Sequence, residues 1–372
     1  MDEQMLKDLI RNASKDDLSV GALLERSSKG EVSLKHIAAA LRFKHLIADE
    51  LTKTAAEINK KLFCKEIEFY AVSYISDHCV NRCSYCGYNA ELGHCRQTLA
   101  PDEMAKDLCA VLKHGANDLC ILYGEHPTII PELLALAGNI AIECDLLHAL
   151  DRITFNIAPM DAKGFQRLRN GIKFPLQYRI FQESYDKKTY VENHTKGPKS
   201  NFEFRLGAQK RALQAGFDEV GLGVLLGLNR ENESYRNFGN DFEILALIAH
   251  AYALKQECGK LPFSISLPRL QSAEGSSFLI PNPVDDDTYV LYHAILKLAL
   301  PGTRTIITRR ETKEMLDRLR PLIDIEDLAT KPGVGGNFRE ESHFQNELGD
   351  PRELPEILAG LRAQGYIPKI KA

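Results

Sequence analysis

The chain has 372 residues, of which 44% are hydrophobic and 26% are charged, and a formal net charge of −4. These values are ordinary for a globular protein and allow one large barrel or two average domains. The weak negative charge, without a basic run interleaved with aromatic residues, argues against nucleic acid as a partner. No apolar run is long enough to span a membrane, and the charged N-terminus does not resemble a secretory signal.

The nine cysteines are odd in number and gather around one loop, which fits a reducing cytoplasm better than a disulfide framework. We therefore expect a cytoplasmic protein. Cys109, Cys120, Cys144 and Cys258 lie in apolar surroundings and are expected to be buried free thiols. Cys95, in the loop beyond the cysteine cluster, could lie near the site, but a residue without a functional part is the favoured interpretation.

The hydrophobic periodicity changes near residue 66. Residues 1–65 read as an N-terminal helical extension, residues 66–330 alternate strands with helices, and residues 331–372 form a C-terminal loop and helix. Strands are predicted over 67–76, 118–123, 152–158, 176–182, 219–226, 263–267, 303–308 and, weakly, 323–328. Helices are predicted over 101–114, 131–149, 161–170, 202–215, 241–258, 285–298, 311–319 and 354–364. This order predicts an α/β fold, a (β/α)8 TIM-type barrel, although the weak last strand leaves a partly open barrel possible.

Cys79, Cys83 and Cys86 follow the first predicted strand with the spacing C-x3-C-x2-C. Iron–sulfur clusters are held by cysteine thiolates, and three protein ligands leave one iron of a [4Fe–4S] cluster open for a small molecule. A structural zinc site would want four ligands, and no second C-x2-C occurs in the chain. Because barrel active sites lie at the carboxyl ends of the strands, this loop lies on the expected catalytic face.

Polar groups follow several other strands. Glu125 after the second strand can approach an ammonium group, although this stretch could equally be an ordinary polar loop before a helix. Gln182 and Glu183 after the fourth strand offer acceptors for ribose hydroxyls. Arg205 can pair bidentately with a carboxylate. The intervening loop 193–201 could close over a substrate, but its lysines are individually expected to be solvent-exposed.

Two further arginines are expected at the strand ends, Arg269 after the sixth strand and Arg310 after the seventh. A buried guanidinium there needs an anionic partner. The glycine-rich strand 220–228 lacks the spacing of a dinucleotide fingerprint. Its glycines are expected instead to let the backbone approach a bound adenosine.

Together these stretches resemble the branch of the radical S-adenosylmethionine (SAM) enzymes that contains the aromatic amino acid lyases. That branch includes 2-iminoacetate synthase, the tyrosine lyase of hydrogenase maturation and the tryptophan lyase of thiopeptide synthesis. The resemblance spans residues 66–368 and rests on YISDHCVNRCSYCGY, YGEHP, FNIAP, FQESYDKKTY, HTKGPKSNFEFRL, GVLLGL, SLPRL, TRRE and FQNELGDPRELPEIL.

The resemblance implies a role for each site residue. The three cysteines would hold a [4Fe–4S] cluster, and the cluster would cleave SAM to a 5′-deoxyadenosyl radical. SAM would be bound by Tyr85, Glu125, Gln182, Glu183, Arg205 and Arg269. Arg310 would clamp the carboxylate of an aromatic amino acid, tyrosine or tryptophan, from which the radical takes hydrogen before a carbon–carbon bond beside Cα breaks. A reduced flavodoxin or ferredoxin would supply the electron.

Three departures from the branch keep alternatives open. The chain stops where the maturase's C-terminal cluster extension would begin, so carbon monoxide and cyanide synthesis is not expected unless the sequence is truncated. It has no tryptophan, and Asp327 lies in the region where relatives carry a serine beside the substrate carboxylate. The last departure favours an alternative substrate without a carboxylate, handled in a cofactor-biosynthesis pathway. A remote alternative is a non-catalytic metal-binding scaffold.

Overall fold

The computed structural model describes residues 2–29, 33–232, 237–272, 277–328, 330–339 and 349–370. Its strands are β1 (Glu66–Ser76), β2 (Asp118–Tyr123), β3 (Arg152–Asn156), β4 (Leu176–Arg179), β5 (Glu219–Gly223), β6 (Glu231–Asn232), β7 (Asn237–Phe238), β8 (Ser264–Ser266), β9 (Arg304–Ile307), β10 (Ile325–Asp327) and β11 (Ile367–Lys369). Its helices are α1 (Glu3–Arg11), α2 (Val20–Ser28), α3 (Leu34–Phe43), α4 (Ala48–Phe63), α5 (Pro101–Leu112), α6 (Pro131–Cys144), α7 (Ala162–Asn170), α8 (Lys187–Asn193), α9 (Phe202–Leu206), α10 (Ala208–Gln214), α11 (Gly239–Cys258), α12 (Asp286–Ala299), α13 (Lys313–Leu319) and α14 (Leu354–Ala363).

Eight parallel strands close into a barrel in the order β1-β2-β3-β4-β5-β8-β9-β10, with β10 pairing back to β1. The closing register sets Glu68 opposite Ile325 and Tyr70 opposite Asp327. Although β10 has only three residues, it pairs with strands on both sides. The complete barrel confirms the predicted (β/α)8 fold and removes the possibility of an open one.

The elements agree with the sequence prediction except at particular ends. Helix α6 stops at Cys144, five residues earlier than predicted, because the Asp145 side chain accepts hydrogen bonds from the backbone N–H groups of Ala149 and Leu150 and forms a turn. The predicted helix 202–215 is two short helices separated at Gly207. Helix α8 and strands β6, β7 and β11 were not predicted; Asp186 caps α8 by accepting from Thr189 N at 2.8 Å.

The N-terminal helices pack on the outer helices of the barrel. Helix α3 contacts α11, and both α2 and α4 contact α12. Lys44 pairs with Asp241 of α11 at 2.7 Å, and Lys7 of α1 pairs with Asp186 at 2.6 Å. The predicted division at residues 65 and 66 coincides with the start of β1, while the division into three domains stays a prediction.

A charged layer fills the amino-terminal end of the barrel. Glu68 pairs with Arg304 at 3.1 Å and with Arg152 at 3.4 Å, and Arg152 also pairs with Glu219 at 3.1 Å. These groups are mutually compensated, so this end of the barrel is closed by ion pairs. The open space therefore lies towards the carboxyl ends of the strands.

Cys109 of α5 and Cys144 of α6 form a disulfide, which corrects the expectation that both are free thiols. The two neighbouring helices bring the sulfurs together across 35 residues of sequence, a proximity that spacing could not reveal. The other seven cysteines are free. Within the described ranges, no helix is long and apolar enough to cross a membrane.

Candidate active site at the carboxyl end of the barrel

The three motif cysteines lie directly beyond β1 and line one cavity together with Glu125, Glu183, Lys199 and Arg205. All three are free thiols. Asn81 Nδ2 lies 3.6 Å from Cys79 Sγ, and the backbone N–H of Tyr88 donates to Cys86 Sγ at 3.4 Å. Burial raises the pKa of Cys83 to about 12. Donors to sulfur favour thiolates, whereas a thiol as buried as Cys83 ionises only beside added positive charge.

Residues 193–199, which we call the strap, lie along the cysteine loop. The backbone N–H of Arg82 donates to the Lys196 carbonyl at 3.1 Å, and that of Ser84 donates to the Asn193 carbonyl at 3.1 Å. The N–H of Lys199 donates to Asn81 Oδ1 at 2.9 Å. The strap belongs to the loop that could close over a substrate. In the structure its hydrogen bonds support the conformation of the cysteine loop.

Asn81, which sequence reasoning did not single out, joins three parts of the site. Besides contacting Cys79 and accepting from Lys199 N, its Nδ2 donates to Glu125 Oε2 at 2.7 Å. The Glu125 carbonyl also accepts from Val80 N at 2.8 Å. Glu125 is thereby fixed beside the cysteine loop. Its position between two motif cysteines is the sequence feature that could have indicated Asn81 as a site residue.

Glu183 is the centre of a buried ion-pair group. Lys199 Nζ lies 2.7 Å from its Oε1, and Arg205 Nη2 lies 3.2 Å from the same atom. Burial alone would raise the pKa of Glu183, but the charges of Lys199 and Arg205 outweigh it and hold that pKa below its usual value. Lys199, expected to be solvent-exposed, is a second residue that the sequence analysis missed. Its side chain is only 14% exposed.

The same group holds Arg205 in one orientation. Its Nε donates to the Phe181 carbonyl at 2.7 Å and its Nη2 to Glu183, while Nη1 has no hydrogen-bond partner within the described part of the chain. Because the guanidinium is planar, the hydrogen bonds of Nε and Nη2 also fix the direction of Nη1. Arg205 can therefore present Nη1 to an anion in the cavity.

The backbone at Glu183 is strained, with φ of +70° in a non-glycine residue. Glu243 of α11 holds the next residues in place. Its carboxylate accepts from Ser184 Oγ and Tyr185 N, each at 2.6 Å, and from Asn229 Nδ2 at 2.8 Å. Burial raises the pKa of Glu243 to about 7. This network fixes the turn that directs Glu183 into the cavity.

Tyr85 is hydrogen-bonded from both sides. His194 Nδ1 lies 2.7 Å from the Tyr190 carbonyl, which can only accept, so Nδ1 carries the proton and Nε2 is an acceptor. The Tyr85 hydroxyl therefore donates to Nε2 at 2.8 Å and accepts from Lys199 Nζ at 3.3 Å. His194 is the third residue that the sequence analysis missed. Burial lowers its pKa to about 3, so it is neutral.

The main cavity reaches from these residues to the end of β9. Cys86, Glu183, Arg205 and Arg310, which lies beyond β9, all line it. Within the described residues the Arg310 side chain has no hydrogen-bond or ion-pair partner. Asp327 also lines the cavity and is 7% exposed. Burial raises the pKa of Asp327 to about 7.

Two predicted SAM contacts lie elsewhere. Arg269 pairs with Glu311 and with Asp286, and its Nη1 donates to the Val284 carbonyl at 3.0 Å, so its guanidinium is already bound. Gln182 is 3% exposed, and its Nε2 forms no hydrogen bond within the described residues. Neither residue is among those lining the main cavity in the described chain, and both assignments stay predictions.

The glycines of β5 make room for side chains inside the barrel. A Cβ on Gly221 would lie 2.7 Å from Cγ of Arg179, and one on Gly223 would overlap the ring of Phe181. The expectation that these glycines admit an adenosine stays a prediction. In the structure they leave room for the side chains of Arg179, at the end of β4, and Phe181, just beyond it.

A radical SAM superfamily model matches residues 73–238. The 2-iminoacetate synthase of Escherichia coli K12 is 26% identical over 326 residues, covering 86% of this chain and 81% of the relative. The crystal structure of HydG, a maturase of the [FeFe]-hydrogenase, aligns with a TM-score of 0.87 at 28% identity, over 98% of this chain and 79% of that chain. HydG from Carboxydothermus hydrogenoformans aligns with a TM-score of 0.82 at 29% identity, over 99% and 85%.

The closed barrel, the cysteine loop beyond β1 and the match over residues 73–238 define a radical SAM enzyme. More particularly, the chain is homologous to 2-iminoacetate synthase and has HydG as a structural neighbour, which agrees with the aromatic amino acid lyase branch that its motifs indicate. Residues 344–348 of the last motif lie outside the described residues.

The radical SAM class implies a [4Fe–4S] cluster and SAM, and the donor set of this chain fits both. Three free thiols line one cavity, and no three His, Cys, Asp or Glu side chains of the described residues group as ligands of one metal ion would. Cysteine thiolates are the ligands that hold iron–sulfur clusters. Glu125 and Arg205 offer opposite charges for the ammonium and carboxylate of SAM.

Proposed function

We propose that this chain is a radical SAM lyase that binds an aromatic amino acid and breaks a carbon–carbon bond beside its Cα. The observation that carries the proposal is one continuous cavity, lined by Cys86, Glu183, Arg205 and Arg310. The radical source and a guanidinium able to bind a carboxylate thus face the same space. The homology to 2-iminoacetate synthase supports the same reaction class.

In this proposal Cys79, Cys83 and Cys86 hold the cluster, which supplies the electron that cleaves SAM to a 5′-deoxyadenosyl radical. Glu125 accepts hydrogen bonds from the SAM ammonium, and Arg205 donates to its carboxylate. Tyr85, Gln182, Glu183 and Arg269 stay candidates for the nucleoside side. These residues bind and orient, and the cofactor does the radical chemistry.

Arg310 would bind the substrate carboxylate bidentately, because no described residue competes for its guanidinium. Asp327 opposes a carboxylate only when ionised. Burial raises the pKa of Asp327 to about 7, so at and below neutral pH a large part of it is uncharged and repels an anion less. This favours an amino acid substrate over the alternative without a carboxylate, which the Asp327 position otherwise supports.

The test is anaerobic incubation of the reconstituted chain with SAM, dithionite and one candidate substrate, followed by mass spectrometry. Tyrosine and tryptophan are compared with tyramine, the matched amine that lacks the carboxylate. The proposal predicts consumption of an amino acid in step with 5′-deoxyadenosine. Consumption of tyramine alone would support the alternative substrate class, and a bound metal without 5′-deoxyadenosine would support the scaffold.

The physiological electron donor is proposed to be a reduced flavodoxin or ferredoxin in the cytoplasm, because a cluster that cleaves SAM needs a strong one-electron reductant. Replacing dithionite with a reduced flavodoxin or ferredoxin tests this part. Turnover with either protein would support it, and turnover with dithionite but with neither protein would contradict it.

A further inference from the structure

Glu243 of α11 is a buried carboxyl group that the proposed mechanism does not use. It is 1% exposed, and within the described residues no cation pairs with it. Burying a carboxyl group without a counter-charge is costly unless hydrogen bonds compensate it. The hydrogen bonds that do so come from segments around the candidate site, not from the helix that carries Glu243. This placement makes Glu243 a candidate for holding those segments.

One set of hydrogen bonds reaches the turn that carries Glu183. Ser184 Oγ and Tyr185 N each donate to the carboxylate of Glu243 at 2.6 Å. These two residues directly follow Glu183, whose φ of +70° is unfavourable for a residue with a side chain. Such a conformation persists only where its surroundings hold it. Glu243 therefore helps to fix the direction in which Glu183 enters the main cavity.

A second set of hydrogen bonds reaches helix α8. Asn229 Nδ2 donates to Glu243 Oε1 at 2.8 Å, and Asn229 Oδ1 accepts from Thr189 Oγ1 of α8 at 3.2 Å. The backbone N–H of Asp186, which caps α8, lies 3.5 Å from the same oxygen of Glu243. Asn229, Thr189 and Asp186 are all buried. Hydrogen bonds that are shielded from water in this way hold their partners more firmly than exposed ones.

Helix α8 ends against the cysteine loop. Its last residue, Asn193, accepts twice from Ser84: the backbone N–H donates to the Asn193 carbonyl at 3.1 Å, and Ser84 Oγ donates to Asn193 Oδ1 at 2.5 Å. Asn193 Nδ2 in turn donates to the Thr189 carbonyl at 2.8 Å. Ser84 lies between the second and third motif cysteines. A path of hydrogen bonds and one short helix thus leads from Glu243 to the segment between two cysteines.

We propose that Glu243 is a positioning residue that sets the cysteine loop and the Glu183 turn relative to each other, and so supports cluster retention and SAM binding together. The inference rests on the proposed roles of the three motif cysteines and of Glu183. Because one carboxyl group holds both segments, a change in it disturbs both. A residue that only stabilised the barrel would change the stability of the fold without a specific effect on either segment.

The test compares Glu243→Gln with two variants that each break one branch. Glutamine keeps the shape of the side chain but turns an NH2 group towards at least one of the donors. Ser184→Ala removes a donor on the side of the Glu183 turn, and Thr189→Val removes the hydroxyl on the side of α8. Asp145→Asn is the matched control, because Asp145 is a buried carboxylate that also accepts from two backbone N–H groups but lies between α6 and β3.

Two quantities are measured anaerobically on the reconstituted proteins. One is the rate of iron release to a chelator, and the other is the dissociation constant for SAM, from equilibrium dialysis at equal iron content. We expect Glu243→Gln to raise both about tenfold. Thr189→Val is expected to raise mainly the rate of iron release, and Ser184→Ala mainly the SAM dissociation constant, each about fivefold. Asp145→Asn is expected to change neither.

Thermal melting establishes that each variant is folded, and if Glu243→Gln does not fold, the one-sided effects of the two branch variants decide. Unchanged iron release and SAM binding in folded Glu243→Gln, equal effects of Asp145→Asn, or identical effects of the two branch variants would overturn the inference and leave the proposed function intact. A parent chain that retains no iron or binds no SAM would overturn the proposed function and this inference with it.

Discussion

The ammonium of Lys199 lies 2.7 Å from Oε1 of Glu183 and 3.3 Å from the hydroxyl of Tyr85, and so joins the strap to the wall of the main cavity. Its backbone N–H is bound to Asn81 between the motif cysteines. One residue thus connects the cysteine loop, the loop after β4 and the hydroxyl of Tyr85.

Replacing this ammonium is expected to weaken SAM binding. In Lys199→Met, Glu183 keeps only Arg205 as a charged partner, and the loss of a charge-assisted hydrogen bond is expected to raise the dissociation constant for SAM about tenfold. Equilibrium dialysis with labelled SAM measures the change. Lys196→Met, an exposed lysine three residues earlier in the strap, is the matched control and should bind SAM as the parent does. Equal effects of the two variants would contradict the account.

The cluster assignment predicts an asymmetry between two cysteines. Cys83 is buried in the site wall, whereas Cys95 is exposed. Cys83→Ala removes one of three thiolate ligands and is expected to lose most of the iron and the visible absorbance of the anaerobically reconstituted protein. Cys95→Ala is expected to keep both. Iron retained in full by Cys83→Ala would show that this thiol is not a ligand.

The pKa of Glu243 gives the stability a specific pH dependence. Burial raises that pKa from 4.5 to about 7 in the folded chain, so the folded state holds the proton more tightly than the unfolded state. The stabilisation that comes from this tighter proton binding by Glu243 is complete below the pKa of Glu243 in the unfolded chain. It is lost as pH rises through the pKa of Glu243 in the folded chain. Between about pH 5.5 and 7.5 the free energy of unfolding is expected to fall by about 2 kcal/mol relative to Glu243→Gln.

Anaerobic urea denaturation of both proteins across this range measures the difference. The amide variant is less stable at every pH, because it cannot accept from Ser184, Tyr185 and Asn229 together. Only the pH-dependent part reports the titration of Glu243. Parallel pH profiles for the two proteins would contradict the raised pKa.

Much of the fold could be predicted because its signals are local. Strand and helix periodicity gave the order of the barrel elements, and the cysteine spacing marked the loop beyond β1. The end of α6 was missed because it depends on the side chain of Asp145 folding back on Leu150. The Cys109–Cys144 disulfide was missed because it depends on the packing of two helices.

The candidate site was predictable to a different degree. Residues in conspicuous motifs, such as Glu183 and Arg205, were found from sequence. Lys199 looked like a surface lysine, because only the folded strap reveals that it reaches a buried carboxylate. Arg179 sits within a predicted strand, and nothing in its local sequence shows that Gly221, more than forty residues away in the chain, leaves room for its side chain.

In the proposed function, Arg310 binds the substrate carboxylate in the same cavity where SAM is cleaved. This is tested by the ratio of tyrosine consumed to 5′-deoxyadenosine formed, measured by anaerobic mass spectrometry for the parent chain and for Arg310→Gln. In the parent chain we expect tyrosine to be consumed in step with 5′-deoxyadenosine formation. In the variant we expect 5′-deoxyadenosine still to form, with at least about 100-fold less tyrosine consumed. Unchanged coupling in Arg310→Gln would contradict it.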